Sequence, residues 1–218
     1  MASRHSIATN PIETMIGDKL TYHTSYQKVT HKVIETLQSE LGQQRLCIAV
    51  GGESGCGKTS LAHALHVDIE KKLGLKGYLF HADDYFVLPP KDNHNQRLQD
   101  ISKVGVEEVD LNLLDTHIRA FLSSEETAIE KPLVNYNENN ISQELVKPQQ
   151  FDFCIVEGTY TMLLQEPLFK VFIQKTYKDT RADRVSRARD LINDFNERVL
   201  EIEHQIIKEQ SKFADMII

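Results

Sequence analysis

Apolar residues recur along the chain in two rhythms, one helical and one extended. Val29, Val33, Ile34, Leu37 and Leu41 lie three or four residues apart, and Gly42 follows as a residue suited to ending a helix. The pattern predicts an amphipathic helix over about 22–41, behind scattered apolar positions at Ile12, Met15, Ile16 and Leu20. Residues 45–50 form a short apolar run, the pattern of a buried strand, and from Ser60 a helical spacing places Leu61, Ala64 and Leu65 on one side. After a turn bracketed by Gly74 and Gly77, residues 77–82 predict a second buried strand. Leu111, Leu114, Ile118 and Leu122 predict a helix over 109–122. Further strands are expected at 132–136, 150–156, 170–174 and 214–218, with a long charged helix over 181–208. Two stretches break both rhythms and read as loops: Pro89-Pro90 with the polar run Lys91–Gln99, and Asn137–Pro148.

Strands alternating with helices imply an α/β fold whose parallel sheet is covered on both faces. In such sheets ligands bind beyond the carboxyl ends of the strands. Three chemically unusual stretches begin at such ends, at Gly51, Asp83 and Glu157, so they should converge on one site. No internal repeat interrupts this order. The expected organisation is an N-terminal helical extension over 1–44 and one domain over 45–218, with a lid at about 181–208.

The most specific stretch is Gly52-Glu53-Ser54-Gly55-Cys56-Gly57-Lys58-Thr59. It fits G-x-x-x-x-G-K-[ST], the phosphate-cradling P-loop, and it stands between a predicted strand and a predicted helix, the context that pattern requires. Glycines permit the tight turn, and backbone N–H groups with the helix N-terminus surround phosphate oxygens. Residues 52–60, Ser60 included, are the expected nucleotide cradle. Lys58 brings a point charge to the outer phosphates, and the Thr59 hydroxyl is placed for Mg²⁺.

Charge then narrows the partners. Thirty-two acidic against 25 basic residues give a net charge of −7, the wrong sign for a protein whose main partner is a nucleic-acid backbone. No apolar run approaches the roughly 20 residues of a membrane span, and residues 1–11 lack a signal peptide's apolar core. Cys47, Cys56 and Cys154 are odd in number and two lie in strand-like runs, which points to free thiols in a reducing cytoplasm. Cys56 sits inside the P-loop, where it is either a small filler or an oxidisable site.

Acidic residues at strand ends suggest what the nucleotide is used for. Phosphoryl transfer to a hydroxyl needs a proton acceptor and a metal ion to neutralise the phosphates. Asp83 or Asp84 could meet an incoming hydroxyl, and both could equally be turn aspartates. Glu157, between an apolar strand and Gly158, suits Mg²⁺, directly or through water. Arg184 and Arg187 are three apart and share a helix face, where guanidinium groups would stabilise a transferring phosphoryl group or simply be solvated beside Asp183 and Asp190. His81, His94 and the other histidines show no metal-ligand spacing and read as structural or exposed.

Together these stretches resemble the uridine kinase, phosphoribulokinase and pantothenate kinase group of P-loop small-molecule kinases. Gly52–Thr59 matches that group's form of the loop, with its extra glycine at Gly55. Asp83-Asp84-Tyr85-Phe86 is similar to its D-x-[FY]-[FY] element, Ile155–Tyr160 to its strand ending in Glu-Gly, and Arg184–Asp190 to its arginine-rich lid helix. Order and spacing agree from about residue 45 to 218; the first 40 residues lie outside the resemblance.

The resemblance implies a P-loop NTPase three-layer sandwich with a small helical lid, using ATP and Mg²⁺. It implies Asp83 as proton acceptor, Thr59 and Glu157 with Asp83 around the metal, Lys58 on the β- and γ-phosphates, and Arg187 with Arg184 closing over them. On the acceptor side the expected residues are Asp84, Tyr85, Arg97 and Tyr136. Val134 stands where uridine kinases carry a tyrosine, and Asn139 stands near the place of a histidine. Lys91, His94 and Arg97 could face a carboxylate or phosphate on the acceptor, or only solvent. The expected activity is therefore γ-phosphate transfer to a hydroxyl of a small metabolite, foremost a nucleoside. Pantothenate, a sugar phosphate or glycerate are alternative acceptors, and an ATP-binding regulatory protein is the alternative outside enzymes. Homo-oligomerisation is left open.

Overall fold

The unbroken apolar runs become the middle of one sheet. The computed structural model describes residues 22–123, 128–182, 184 and 193–218. In chain order its regular elements are α1 (Gln27–Thr36), β1 (Leu46–Gly52), α2 (Lys58–Leu73), β2 (Gly77–His81), α3 (Pro90–Gln99), α4 (Leu111–Leu122), β3 (Ile129–Asn135), β4 (Asn140–Val146), β5 (Phe153–Gly158), β6 (Phe169–Ile173), α5 (Asp194–Ile207) and β7 (Met216–Ile217). Five strands form an all-parallel sheet in the order β2-β5-β1-β6-β7. β1 and β5 are buried along their whole length, as strands covered on both faces must be.

Each face has its own core. On one, Val33, Ile34 and Leu37 of the N-terminal segment join Leu61, Leu65 and Ile69 of α2 over Ile48, Val50 and Ile155. On the other, Leu114, Ile118 and Phe121 of α4 pack with Phe80 and Tyr85 over Ala49, Cys154 and Val156. Residues 33–41 thus share a core with the sheet. Asp68 of α2, itself buried, accepts hydrogen bonds from Tyr22 Oη (2.9 Å) and from Thr30 Oγ1, fastening α1 to α2.

The structure corrects four expectations. The stretch 91–99 is not a loop but most of α3. Pro90 at its first turn, Asp92 after it and Arg97 in the last turn suit a helix, yet only Asn93 is buried, so no apolar stripe existed to reveal it. Asn137–Pro148 is not loop throughout: β4 pairs antiparallel with β3 after a turn in which Asn139 takes φ +52°. The predicted helix over 22–41 is shorter, a 3₁₀ turn at Thr24–Tyr26 and then α1, which ends at Thr36. The helix over 181–208 is not one piece, because Asn193 is extended and its side chain caps a new helix, α5, by accepting from Asn196 N–H. Residues 185–192, Arg187 and Arg189 among them, lie outside the described residues. Among the described residues no helix is long and apolar enough to cross a membrane, and the three cysteines are free and buried.

Candidate active site

Sheet order brings the three chemical stretches together. β5 lies between β2 and β1, and the register pairs His81 with Glu157 and Gly51 with Gly158, so all three strands end side by side. β1 runs directly into the P-loop, and α2 begins at Lys58. Gly55 and Gly57 adopt φ +78° and +101°, left-handed values that disfavour a side chain. Neither has room for one. A Cβ on Gly55 would lie 2.9 Å from Arg184 Cγ, and one on Gly57 would overlap the Tyr26 hydroxyl. Bare backbone is therefore what the turn presents to a ligand, at the N-terminus of a 16-residue helix.

Lys58 is half-buried, and its Nζ donates to the Glu53 carbonyl at 3.0 Å. Burial disfavours its charge, but Cys56 and the carboxylates of Glu157, Asp83 and Glu203 outweigh that and hold the amine above its ordinary value. The Thr59 hydroxyl is near enough to the Glu157 carboxylate to help hold it low, and His81 Nδ1 lies 2.8 Å from Glu157 Oε1. Burial would push Glu157 up, yet the His81 hydrogen bond and charge, then Lys58, hold it below the usual carboxylate range. Asp83, on the 3₁₀ turn Ala82–Tyr85 after β2, goes the other way. Burial and then the negative charge of Glu157 raise it, with Lys58 and His81 opposing. Two neighbouring carboxyls are thus driven apart, Glu157 toward a permanent anion and Asp83 toward a proton acceptor.

The remaining expected residues divide. Arg184 reaches the cradle: its aliphatic stem lies against Gly55 while Nη1 donates to Tyr177 O (2.5 Å) and Thr180 Oγ1 (3.0 Å). The Ser54 carbonyl accepts from Thr180 Oγ1 at 3.3 Å, and Ser60 stands half-buried in the first turn of α2. Glu53 turns its side chain inward. Its carboxylate accepts Tyr177 N–H and meets His204 Nδ1, each at 2.6 Å, tying the loop to the segment after β6 and to α5. Cys56 is 3% exposed, and burial pushes its thiol up, an inert rather than a redox-poised cysteine.

Of the residues expected at the acceptor, Asp84 turns to the β3–β4 hairpin. Its carboxylate is 1% exposed and is taken by Lys131 Nζ (2.8 Å) and Val134 N–H (3.1 Å) of the β3–β4 hairpin. Tyr85 is buried toward α4, its hydroxyl 2.9 Å from His117 Nδ1. Arg97 grips Glu108 with Nε (2.5 Å) and Nη2 (2.9 Å) and reaches Glu203 at 3.2 Å. Tyr136 begins the hairpin turn, half-buried. Three residues of the site, His81, Glu203 and Lys131, escaped the sequence reasoning. His81 ends β2 immediately before the aspartate turn, a position that could have drawn notice; nothing local marks the other two.

A magnesium ion fits this donor set. Thr59, Glu157 and Asp83 offer hard oxygen atoms, and among the described residues no group of three or more His, Cys, Asp or Glu side chains could cage a metal alone. Mg²⁺ is typically held by one or two carboxylates with phosphate oxygens and water completing the octahedron.

Comparison with known proteins places the same stretches in a wider set. The model of the Phosphoribulokinase / Uridine kinase family matches residues 47–218. A uridine kinase of Geobacillus sp. (strain WCH70) is 28% identical over 195 residues, covering 82% of this chain and 87% of that protein. One from Clostridium botulinum (strain Kyoto / Type A2) is 26% identical over 189 residues, covering 78% and 86%. Two solved structures share the fold at lower identity. Phosphoribulokinase from Rhodobacter spheroides has a TM-score of 0.61 at 13% identity, covering 80% of this chain and 69% of that one. A possible uridine kinase from Bacillus stearothermophilus has a TM-score of 0.57 at 20% identity, covering 89% and 99%.

Proposed function

The chain belongs to the Phosphoribulokinase / Uridine kinase family and is a P-loop small-molecule kinase; from that premise we propose that it transfers the γ-phosphate of ATP to a hydroxyl of an uncharged acceptor, a nucleoside. The observation that carries the choice of acceptor is the charge around Asp83. Glu157 and Asp84 add negative charge at this position, Glu203 adds it at Lys58 beside it, and three cations of the described residues are already engaged. Lys131 is held by Asp84 and Glu144, Arg97 by Glu108 and Glu203, and Arg184 by backbone and Glu197. Arg97, the cation expected from sequence to meet a carboxylate or phosphate on the acceptor, already carries two carboxylates of its own. An acceptor with its own negative charge would meet like charge here, at a cost of several kcal/mol for close juxtaposition. A nucleoside would not. The named activity of the curated relatives points the same way.

In this reading the P-loop N–H groups and Lys58 hold the β- and γ-phosphates, with Arg184 seated at Gly55. Thr59, Glu157 and Asp83 would hold Mg²⁺, which when bound neutralises phosphate charge. The acceptor hydroxyl gives its proton to an Asp83 carboxylate oxygen as its own oxygen bonds the γ-phosphorus. The bond from that phosphorus to the bridging oxygen breaks, and the electron pair leaves with ADP. His81 contributes by fixing Glu157. The reading is tested by ADP release with Mg²⁺-ATP and a panel of acceptors. Stimulation by nucleosides, and none by glycerate, pantothenate or pentose phosphates, is expected; stimulation by an anionic acceptor alone would replace it.

A further inference from the structure

The nucleotide cradle carries a carboxylate of its own. Glu53 is the one acidic residue in 52–60, and its carbonyl oxygen lies 3.0 Å from Lys58 Nζ. A free carboxylate there would compete with phosphate for that amine. It is not free. Its side chain is 7% exposed, and each oxygen has a partner from outside the loop. Oε2 accepts Tyr177 N–H at 2.6 Å, and Oε1 lies 2.6 Å from His204 Nδ1. An ionised carboxylate has only lone pairs to offer, so the hydrogen of the second bond comes from the imidazole. His204 is itself well held. Its ring lies beside that of Tyr177, centroids 5.7 Å apart. On α5 it stands next to Glu203, which accepts from Arg97 of α3 at 3.2 Å, and three residues before the fully buried Ile207.

We propose that His204 is a positioning residue for nucleotide binding: by holding the Glu53 carboxylate it keeps that charge from Lys58 and leaves the amine to the triphosphate. The proposal rests on nucleotide binding at the P-loop and not on the nature of the acceptor. Without His204, Oε1 would be buried and unpartnered, a costly state that turning toward the Lys58 ammonium would relieve. Opposite charges in contact attract strongly even where solvent partly screens them, so phosphate would have to break that pair before it could bind. In the structure as held, the chief carboxylates acting on the Lys58 amine are Glu157, Asp83 and Glu203, not Glu53. α5 thus enters the phosphate site indirectly, through one side chain of the loop 151 residues away in the chain.

Equilibrium titration of the full chain with ATP and with inorganic tripolyphosphate, without acceptor, tests it. His204→Phe keeps a ring beside Tyr177 and removes the donor. It should weaken both ligands about tenfold, the scale of one hydrogen bond to a charged group. His204→Asn, whose amide can donate from near the place of Nδ1, should recover most of that loss. In a Glu53→Gln background there is no charge to hold. His204→Phe should there change either affinity by less than about twofold, whatever affinity that background has. A loss of about tenfold in both backgrounds would overturn the proposal, since His204 would then act by supporting α5 and not through Glu53. Unchanged binding by His204→Phe in the wild-type chain would also overturn it, as would a loss confined to ATP, which would assign the effect to the base or ribose. Failure of every acceptor in the panel would count against the nucleoside reading alone and leave these titrations standing.

Discussion

Lys131 is the most exacting test of how this site is held. Its side chain is buried, the residue 1% exposed, and its ammonium lies 2.8 Å from Asp84 Oδ2, 2.9 Å from the Pro132 carbonyl and 3.2 Å from Glu144 Oε2. Tyr78 Oη donates to the same Glu144 oxygen at 3.2 Å, and Asp84 Oδ1 is committed to Val134 N–H. Lys131→Met keeps most of the side-chain volume but leaves the Asp84 carboxylate buried without its counter-ion. Breaking a buried pair from one side costs about 3–5 kcal/mol, because the surviving charge has lost water and partner together. For a chain of this length each kcal/mol moves the melting temperature by roughly 2–4 °C, so a fall of roughly 6–20 °C is expected in calorimetry. Asp84→Asn combined with Lys131→Met removes both charges, while the amide oxygen that replaces the carboxylate can still accept Val134 N–H. Buried pairs replaced by neutral groups often cost nothing. The double variant should therefore melt well above the single one. A single variant within about 2 °C of wild type would refute the reasoning, given that scale of shift. A double variant as unstable as the single would do the same.

Two further outcomes concern the reacting groups. Burial and Glu157 hold the Asp83 carboxyl above its ordinary value, and only its ionised form accepts a proton, so activity should be lost as pH falls through that raised value. Glu157→Gln removes the like charge and should move the acid limb of log kcat to lower pH even as the rate drops; an unmoved limb would detach it from Asp83. Asp83→Asn should lower kcat by about 10²–10⁴, the usual contribution of a positioned base, with the Kd for ATP within about threefold of wild type. Parallel losses in both would make Asp83 a binding group only.

What could be read from sequence follows the distance over which each feature is determined. The P-loop is local: strand, glycine turn and helix lie within 28 consecutive residues from Leu46 to Leu73, and the pattern of apolar positions reports them directly. β5 and β2 were legible for the same reason, being buried on both faces. α3 was not, since a helix with one buried residue has no apolar face, and its end signals are weak beside Pro89-Pro90. β4 was hidden because its pairing with β3, not its own alternation, makes it a strand; its residues are mostly exposed. The chemistry divides likewise. Asp83 and Glu157 stood out at strand ends, but His81 meets Glu157 only because β2 and β5 are neighbours in the sheet, 76 residues apart in the chain. Arg97 looked available for an anionic ligand because Glu108 and Glu203 are brought to it by folding, the second from 106 residues away. Asp84 has the sequence position of a substrate contact, and only the hairpin, folding back over it, gives its carboxylate to Lys131.

The central claim is transfer to a neutral hydroxyl, and its most direct measurement follows the phosphate itself. Wild-type protein is incubated with Mg²⁺ and γ-labelled ATP in the presence of a nucleoside, and the label is traced by chromatography. The account predicts label in a nucleoside monophosphate, formed in step with ADP and absent with Asp83→Asn. Label appearing only as inorganic phosphate, at a rate indifferent to any nucleoside, would contradict it.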